Sequence, residues 1–185
     1  TDLLLRTLKK HPEYRISFSL SGVFIQQCEE FGVIGQQVLQ NFQTLAQTGQ
    51  VEFLAETYYH SLAFLYSKQE FLRQVHLHSE KIYQHFGQYP EVFRNTELIF
   101  SDELAAFVQA LGFNAIIAEG WDHVLGGYHP NHVKRNTPLP LHPEDSTLIR
   151  NFKNQYSHWS KKQSKEFLPV LCKNYKLSDD IAFRF

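Results

Sequence analysis

The chain has 185 residues, 43% hydrophobic and 15% aromatic, so it can bury the core of a domain and is not a disordered polymer. Its 18 Lys and Arg residues nearly balance its 19 Asp and Glu residues, and neither sign forms long blocks, which argues against nucleic acid or a membrane surface as a partner. Cys28 and Cys172 belong to no CxxC pair; they indicate neither a zinc site nor a disulfide framework, and favour a cytoplasmic location.

The N-terminal sequence TDLLLRTLKK predicts the end of an amphipathic helix. It lacks the uninterrupted apolar run of a signal peptide, and no later segment is long and apolar enough to predict a membrane span. Because the chain contains no Met, Thr1 is not a translation start, and we expect further sequence upstream.

The first half of the chain predicts alternating strands and helices, from apolar spacing and from glycines that end helices. The predicted elements are a strand over residues 14–20, two helices from 23 to about 48 divided at Gly32 and Gly35, a strand over 51–55, and a helix over about 71–86 ended by Gly87.

The next segment continues the pattern. A strand begins at Val92 and Phe93, Ser101 or Asp102 caps a helix that ends before Gly112, and residues 115–118 predict a fourth strand. Four alternations of strand and helix predict an α/β fold with right-handed β-α-β units and a parallel sheet, either open or closed into a barrel.

The pattern fails after Gly120. Glycines and prolines predict a loop, and the polar stretch over residues 151–165 predicts an excursion from the sheet. Residues 181–185 again predict a strand.

Three glutamates stand where predicted strands end: Glu56, Glu97 and Glu119. In parallel β/α architectures, side chains at the carboxyl ends of strands reach the substrate, and paired carboxylates are what glycoside cleavage requires. The alternative is that each is a solvated loop carboxylate.

Four stretches of the sequence resemble glycoside hydrolase family 57 and its α-amylase branch. They are FSLSGVFIQQ, GQVEFLAETYYHSLAFLYS, FRNTELIFSDELA and KNYKLSDDIAFRF, with LGFNAIIAEGWDHVLG as a further match. Together they cover most of the chain in the order of the family.

The resemblance implies an incomplete seven-stranded parallel β/α barrel, of which residues 1–185 are one part. It implies cleavage of α-1,4-glucosidic bonds in starch, glycogen or maltooligosaccharides with retention of configuration, and no metal or organic cofactor. The glutamate that matches the nucleophile of the family is Glu97.

The resemblance also suggests substrate-binding residues. Arg94 could keep a nearby carboxylate ionised, or instead pair with Glu91 on the surface, and Asn95 could donate to a sugar hydroxyl or to the carboxylate. Glu119 is assigned to the same group of residues.

In the motif GQVEFLAETYYHS, Glu56 and His60 are expected to line the cleft, and Tyr58 or Tyr59 to stack on a glucose face. Trp121 is the stronger candidate for such a platform. The alternatives are a core role for the tyrosines and a hinge role for the tryptophan.

The pair His76 and His78 does not predict a zinc site, because residues two apart on a helix point to nearly opposite sides. Asp179 and Asp180 are expected to cap an element or to pair with Arg184.

Two parts of the family pattern are missing from residues 1–185. The His-Gln-Pro motif of the first strand does not occur, and the acid/base aspartate is expected beyond Phe185. Residues 138–167 are interpreted as a polar insertion into the domain.

Three functions remain open on the sequence. The first is an α-amylase, and the second is a 4-α-glucanotransferase or branching enzyme that passes the same glycosyl intermediate to a sugar hydroxyl. The third is a non-catalytic glucan-binding homologue that has lost the acid/base.

Overall fold

The computed structural model describes residues 2–184. The chain divides into two compact units, Thr1–Glu91 and Val92–Phe185. Each unit contains parallel strands joined through helices. The predicted α/β class with parallel strands is therefore confirmed, as part of a domain. Within residues 2–184, no helix combines the length and the apolar character needed to span a bilayer.

The first unit contains two strands and five helices among its described residues. They are α1 (Asp2–Lys10), β1 (Ile16–Phe18), α2 (Gly22–Glu30), α3 (Gly32–Ala46), β2 (Val51–Phe53), α4 (Ala63–Tyr66) and α5 (Lys68–Phe86). β1 and β2 pair in parallel, with Ile16 opposite Val51. Both strands were predicted, two to four residues longer than they are.

Local signals in the sequence set the helix ends of this unit. The Ser21 and Ser67 hydroxyls accept hydrogen bonds from backbone N–H groups in the first turns of α2 and α5. Gly32, at φ +60°, separates α2 from α3 as predicted, and Gly87 ends α5 in the left-handed region. Gly35 has a different function, because a Cβ there would lie 1.9 Å from the Cys28 carbonyl oxygen.

The core of the first unit is aromatic. The ring of Phe53 on β2 stacks on Phe86 of α5 with centroids 4.3 Å apart, and Phe42 of α3 packs edge-on against Phe18 of β1 at 5.2 Å. These contacts fix both strands against the helices that follow them, so the carboxyl ends of β1 and β2 are held on a rigid base.

The second unit has a four-stranded sheet. Its elements are β3 (Val92–Arg94), a 3-10 turn (Thr96–Leu98), α6 (Asp102–Leu111), β4 (Ala115–Glu119), α7 (Asp122–Leu125), β5 (Lys134–Arg135), α8 (Pro143–Gln155), α9 (Ser157–Ser160), β6 (Pro169–Lys173) and α10 (Tyr175–Phe183). The strand order is β3-β4-β6-β5, with β3, β4 and β6 parallel and β5 antiparallel.

The polar stretch over residues 151–165 is not the excursion that its composition predicted. Most of it is helical, and Trp159 is fully buried, with its ring 5.5 Å from Phe113 and 5.4 Å from Phe152. The Lys153 ammonium donates to the Ala110 carbonyl at the end of α6. α8 and α9 thus belong to the connection between the parallel strands β4 and β6, and the β/α alternation continues after Gly120.

The prediction of a strand over residues 181–185 is also wrong, as far as the structure describes these residues. Residues up to Phe183 continue α10, and Phe185 lies outside the described residues. The Asn174 side chain caps this helix by accepting from the Leu177 N–H, and Asp180 pairs with Arg184 one turn later at 2.6 Å. The strand next to β4 lies earlier in the chain, at Pro169–Lys173.

Candidate active site

The carboxyl ends of β3, β4 and β6 share one edge of the sheet, because these strands are parallel. Neighbouring strands lie about 4.8 Å apart, so the residues that follow them form a continuous polar edge. Glu97 follows β3, Glu119 ends β4, and Lys173 ends β6. The sequence predicted the first two of these positions and missed the third.

Glu97 occupies a strained turn just after β3. Its backbone is left-handed at φ 53° and ψ 22°, and Leu98 follows at φ 56°. For residues other than glycine, such conformations cost on the order of 1–3 kcal/mol each and persist only where the surroundings enforce them. Thr96 and Leu98 are buried on either side, which leaves the Glu97 side chain at the exposed crest of the turn.

Asn95 is one residue that enforces this turn. Its side chain is buried, and its amide donates to the Ile99 carbonyl at 3.1 Å, while the Asn95 carbonyl accepts from the Leu98 N–H. The sequence suggested Asn95 as a donor to a sugar hydroxyl or to the carboxylate, and this role stays a prediction, while one N–H of the amide donates to the loop. Arg94 ends β3 half-buried, and both interpretations of its charge stay predictions.

Glu119 pairs across the sheet with a residue that the sequence analysis did not select. Its Oε2 lies 3.6 Å from Lys173 Nζ, its register partner on β6, and its Oε1 accepts from the Gly120 N–H. Both side chains are more than a third exposed, so this pair contributes little stability and mainly orients the carboxylate. The apolar run PVLC before Lys173 was the available signal for β6.

Trp121 begins the loop after β4 with 55% of its surface exposed, next to the His123 ring. Next to Trp121, side-chain hydrogen bonds join the segments that follow β4 and β6. Asp122 accepts from Lys176 at 2.7 Å and from the Tyr175 hydroxyl at 3.1 Å, and these hydrogen bonds lower the pKa of its carboxyl. The indole is therefore an exposed platform on a braced loop, which fits stacking on a sugar face.

The carboxyl ends of β1 and β2 carry a second polar cluster, in the first unit. Glu56 is 2% exposed, and its Oε1 accepts from the Ser19 hydroxyl at 2.7 Å. Its Oε2 lies 3.1 Å from His60 Nδ1. The sequence predicted Glu56 and His60 but not Ser19, which follows β1 by one residue.

The structure distinguishes the two tyrosines. Tyr58 is 8% exposed and packs so closely on Gly22 that a Cβ there would lie 2.3 Å from its ring. Tyr59 is half exposed, with its ring edge-on to Tyr58. Tyr59 is thus the better placed of the two to stack on a sugar, and Tyr58 has the surroundings of a core residue.

The two histidines of the HxH pair have different neighbours, as helical spacing predicts. His78 is fully buried, with its Nε2 2.8 Å from the Leu20 carbonyl, whereas His76 lies 3.9 Å from Glu80. Burial lowers the pKa of both imidazoles, which favours their neutral forms. Among the residues described, no three His, Cys, Asp or Glu side chains are grouped as a metal site requires.

Three comparisons relate the chain to known proteins. The sequence model of Glycosyl hydrolase family 57 matches residues 1–185. A curated Methanocaldococcus jannaschii protein named "Putative alpha-amylase" is 34% identical over 185 residues, which are 100% of this chain and 33% of that protein. The crystal structure of 4-alpha-glucanotransferase from Thermococcus litoralis matches with a TM-score of 0.66 at 17% identity, over 96% of this chain and 24% of its own. The chain thus spans about a third of the length of the curated relative and shares the fold of the solved structure.

Proposed function

Because the chain belongs to glycosyl hydrolase family 57, we propose that it carries the nucleophile of an α-glucan-processing enzyme that retains anomeric configuration, and that Glu97 is this nucleophile. The names of two relatives, an amylase and a glucanotransferase, support an α-glucan substrate. The resemblance of FRNTELIFSDELA to the family motif supports the choice of Glu97.

The turn at Glu97 is the observation that carries the proposal. A glutamate in left-handed backbone at a strand end is costly, and strain of this kind concentrates at functional sites. Among the glutamates at the ends of β2, β3 and β4, Glu97 alone has a left-handed backbone. Glu56, by contrast, is buried.

The reaction proceeds in two displacements. The Glu97 carboxylate attacks the anomeric carbon, the bond to the leaving oxygen breaks, and an acid/base residue gives that oxygen a proton. The same residue then removes a proton from water or a sugar hydroxyl, which attacks the anomeric carbon and releases Glu97. In the pattern of the family, the acid/base is an aspartate outside the segments matched here.

Several of the other predicted residues contact the glucan in this proposal. Trp121 and Tyr59 present exposed rings to sugar faces, and His60 presents a half-exposed imidazole. Glu119 offers a carboxylate oriented by Lys173. Arg94 places a guanidinium at the end of β3.

Replacement of Glu97 tests the nucleophile. In the full-length protein, Glu97→Gln should reduce turnover of soluble starch below about a hundredth of wild type, because an amide cannot form the glycosyl ester. Binding of maltoheptaose should stay close to wild type, since the shape is kept. Glu103→Gln on α6 is the matched control and should leave turnover unchanged.

Azide gives a sharper readout. In Glu97→Ala, azide can attack the anomeric carbon from the vacated side, so it should restore cleavage of an activated glucoside and give a glucosyl azide of inverted configuration. Retained turnover in Glu97→Gln, or the absence of azide rescue in a folded Glu97→Ala protein, would remove Glu97 from this role.

A second candidate function is transfer rather than hydrolysis, favoured by the fold shared with the glucanotransferase. Products from maltooligosaccharides distinguish the two. Reducing ends increase on hydrolysis and stay constant when the glycosyl group passes to another sugar.

A further inference from the structure

Ser19, Glu56 and His60 form a continuous hydrogen-bonded chain in the first unit. Ser19 follows β1 and Glu56 follows β2, so the parallel pairing of these strands brings the two side chains together from positions 37 residues apart. As a carboxylate, Glu56 can only accept hydrogen bonds. The Ser19 hydroxyl therefore donates to one oxygen, and His60 Nδ1 donates to the other.

Glu56 is too deeply buried to be an ordinary substrate ligand. It is 2% exposed, whereas 41% of the His60 side chain is exposed. A buried carboxylate is stable only when hydrogen bonds or an opposite charge compensate its desolvation. The two donors supply this compensation, and the His60 ring is the more exposed member of the pair.

The backbone of His60 is held as firmly as its ring. His60 adopts φ 52°, a strained conformation for histidine, and its N–H donates to the Thr57 carbonyl. The next residue, Ser61, bonds through its N–H to the Thr57 hydroxyl and through its own hydroxyl to Gln74 of α5. Gln74 also accepts from the Tyr59 N–H, so the loop is attached to the helix on both sides of His60.

The base of the cluster is formed by a histidine that is hydrogen-bonded to the backbone. The fully buried imidazole of His78, on α5, has an electrostatic interaction with Glu56. Its Nε2, however, is hydrogen-bonded to the Leu20 carbonyl. A carbonyl accepts only, so Nε2 carries the proton of the neutral ring. Ser19 and His60 are thus side-chain hydrogen-bond partners of Glu56.

We propose that Glu56 and Ser19 are positioning residues, which hold the His60 ring through Nδ1 so that its exposed part contacts a hydroxyl of the α-glucan. This assignment rests on the proposed function, and it replaces direct contact between Glu56 and the glucan. Glu56 acts through His60, and Ser19 acts through Glu56.

A double-mutant cycle tests the assignment. It uses the full-length protein with Glu97→Gln, and it measures maltoheptaose binding by calorimetry. His60→Ala and Glu56→Ala should each weaken binding about tenfold, the loss expected for a hydrogen bond to a charged group. The double variant should bind no more weakly than His60→Ala alone, because Glu56 has no effect once the ring is gone. Losses that multiply to about a hundredfold would show that Glu56 binds independently, and would overturn the proposal.

Ser19 provides a milder version of the same test, in case Glu56→Ala does not fold. Ser19→Ala should weaken maltoheptaose binding about threefold, whereas Ser19→Thr should keep wild-type affinity because it keeps the hydroxyl. Neither substitution should change the affinity of the His60→Ala variant. Equal thermal midpoints for Ser19→Ala and Ser19→Thr exclude a difference in folding. An effect of Ser19→Ala that persists without His60 would contradict the positioning role.

The proposed function and the positioning role fail in different ways. If wild type neither binds nor turns over glucan, both fail. If wild type is active and loses activity with Glu97→Gln, while His60→Ala leaves maltoheptaose affinity unchanged, only the positioning role fails.

Discussion

Glu97 combines a left-handed backbone with an exposed carboxylate. A short polar turn could end β3 without a left-handed residue, yet two such residues occur in sequence, Glu97 and Leu98. The buried side chains of Asn95 and Leu98 fix the turn and leave the glutamate at its crest. The strained turn lowers the stability of the fold. Its presence is consistent with selection for the position of the carboxylate rather than for stability.

Glycine at this position should reveal the strain. Left-handed backbone costs an L-residue roughly 1–2 kcal/mol and costs glycine almost nothing. The free energy of unfolding of Glu97→Gly should therefore be about 1 kcal/mol higher than that of Glu97→Ala. Both variants lose the carboxylate and should be inactive. Urea unfolding measures the difference, and equal stabilities of the two variants would mean that the turn is relaxed.

The residues that were predicted to bind substrate differ in how deeply they are buried. Trp121 and Tyr59 keep exposed rings, while Tyr58, Asn95 and Glu56 are buried in contacts within the protein. The sequence suggested these three from the family motifs that contain them. Their burial places them in contacts that hold the loops, and any contact with substrate stays a prediction.

At the scale of elements, α8 and α9 change the interpretation of the middle of the chain. A composition rich in Lys and Gln predicted a solvated excursion, but Ile149, Phe152 and Trp159 lie on the buried side of these helices. The polar residues cover the opposite face. This is how an amphipathic helix covers a sheet between two parallel strands.

The two tryptophans of the chain make a matched pair for testing this arrangement. Trp159→Ala should lower the free energy of unfolding by about 3–5 kcal/mol, because it leaves a cavity between Phe113 and Phe152. Trp121→Ala should change it by less than about 0.5 kcal/mol and instead weaken use of starch.

Thermal unfolding and starch kinetics of the same two proteins provide the readouts. A stable Trp159→Ala variant would mean that α9 does not cover the core. An unchanged rate and Michaelis constant in Trp121→Ala would exclude the indole as a sugar platform.

At the scale of the whole molecule, acid stability depends on a charged cluster between α2 and α5. Glu29 accepts from Lys81 at 3.0 Å and from His85 at 2.7 Å. Burial by itself raises the pKa of the Glu29 carboxyl, but the two hydrogen bonds outweigh it and hold the pKa below its ordinary value.

The direction of this shift sets the pH at which stability is lost. The unfolded chain binds a proton at Glu29 near pH 4.3 and the folded chain only at lower pH, so the stabilisation is complete above that value and lost as the pH falls through the folded pKa. Glu29→Gln should be less stable than wild type at pH 7, and the difference should shrink below about pH 4. Urea unfolding across this range measures it, and Glu30→Gln, at the adjacent position, should follow the wild-type profile.

The sequence by itself determined the features that rest on short-range signals. Alternating apolar segments, the cap at Ser101 or Asp102 and helix-ending glycines indicated β1 to β4 and the longer helices between them, and FRNTELIF located a glutamate after a strand. The family resemblance rested on such local motifs as well. These signals lie within a few residues of the elements that they specify, so no knowledge of distant contacts was needed.

Only the tertiary structure decided which residues are covered and what they contact. The strand next to β4 is Pro169–Lys173 rather than residues 181–185, because pairing in a sheet selects among segments with similar composition. The hydrogen bond between Ser19 and Glu56 joins positions 37 residues apart, and that between Tyr175 and Asp122 joins positions 53 apart. Burial and polar partners arise from such long-range contacts, which local periodicity does not encode.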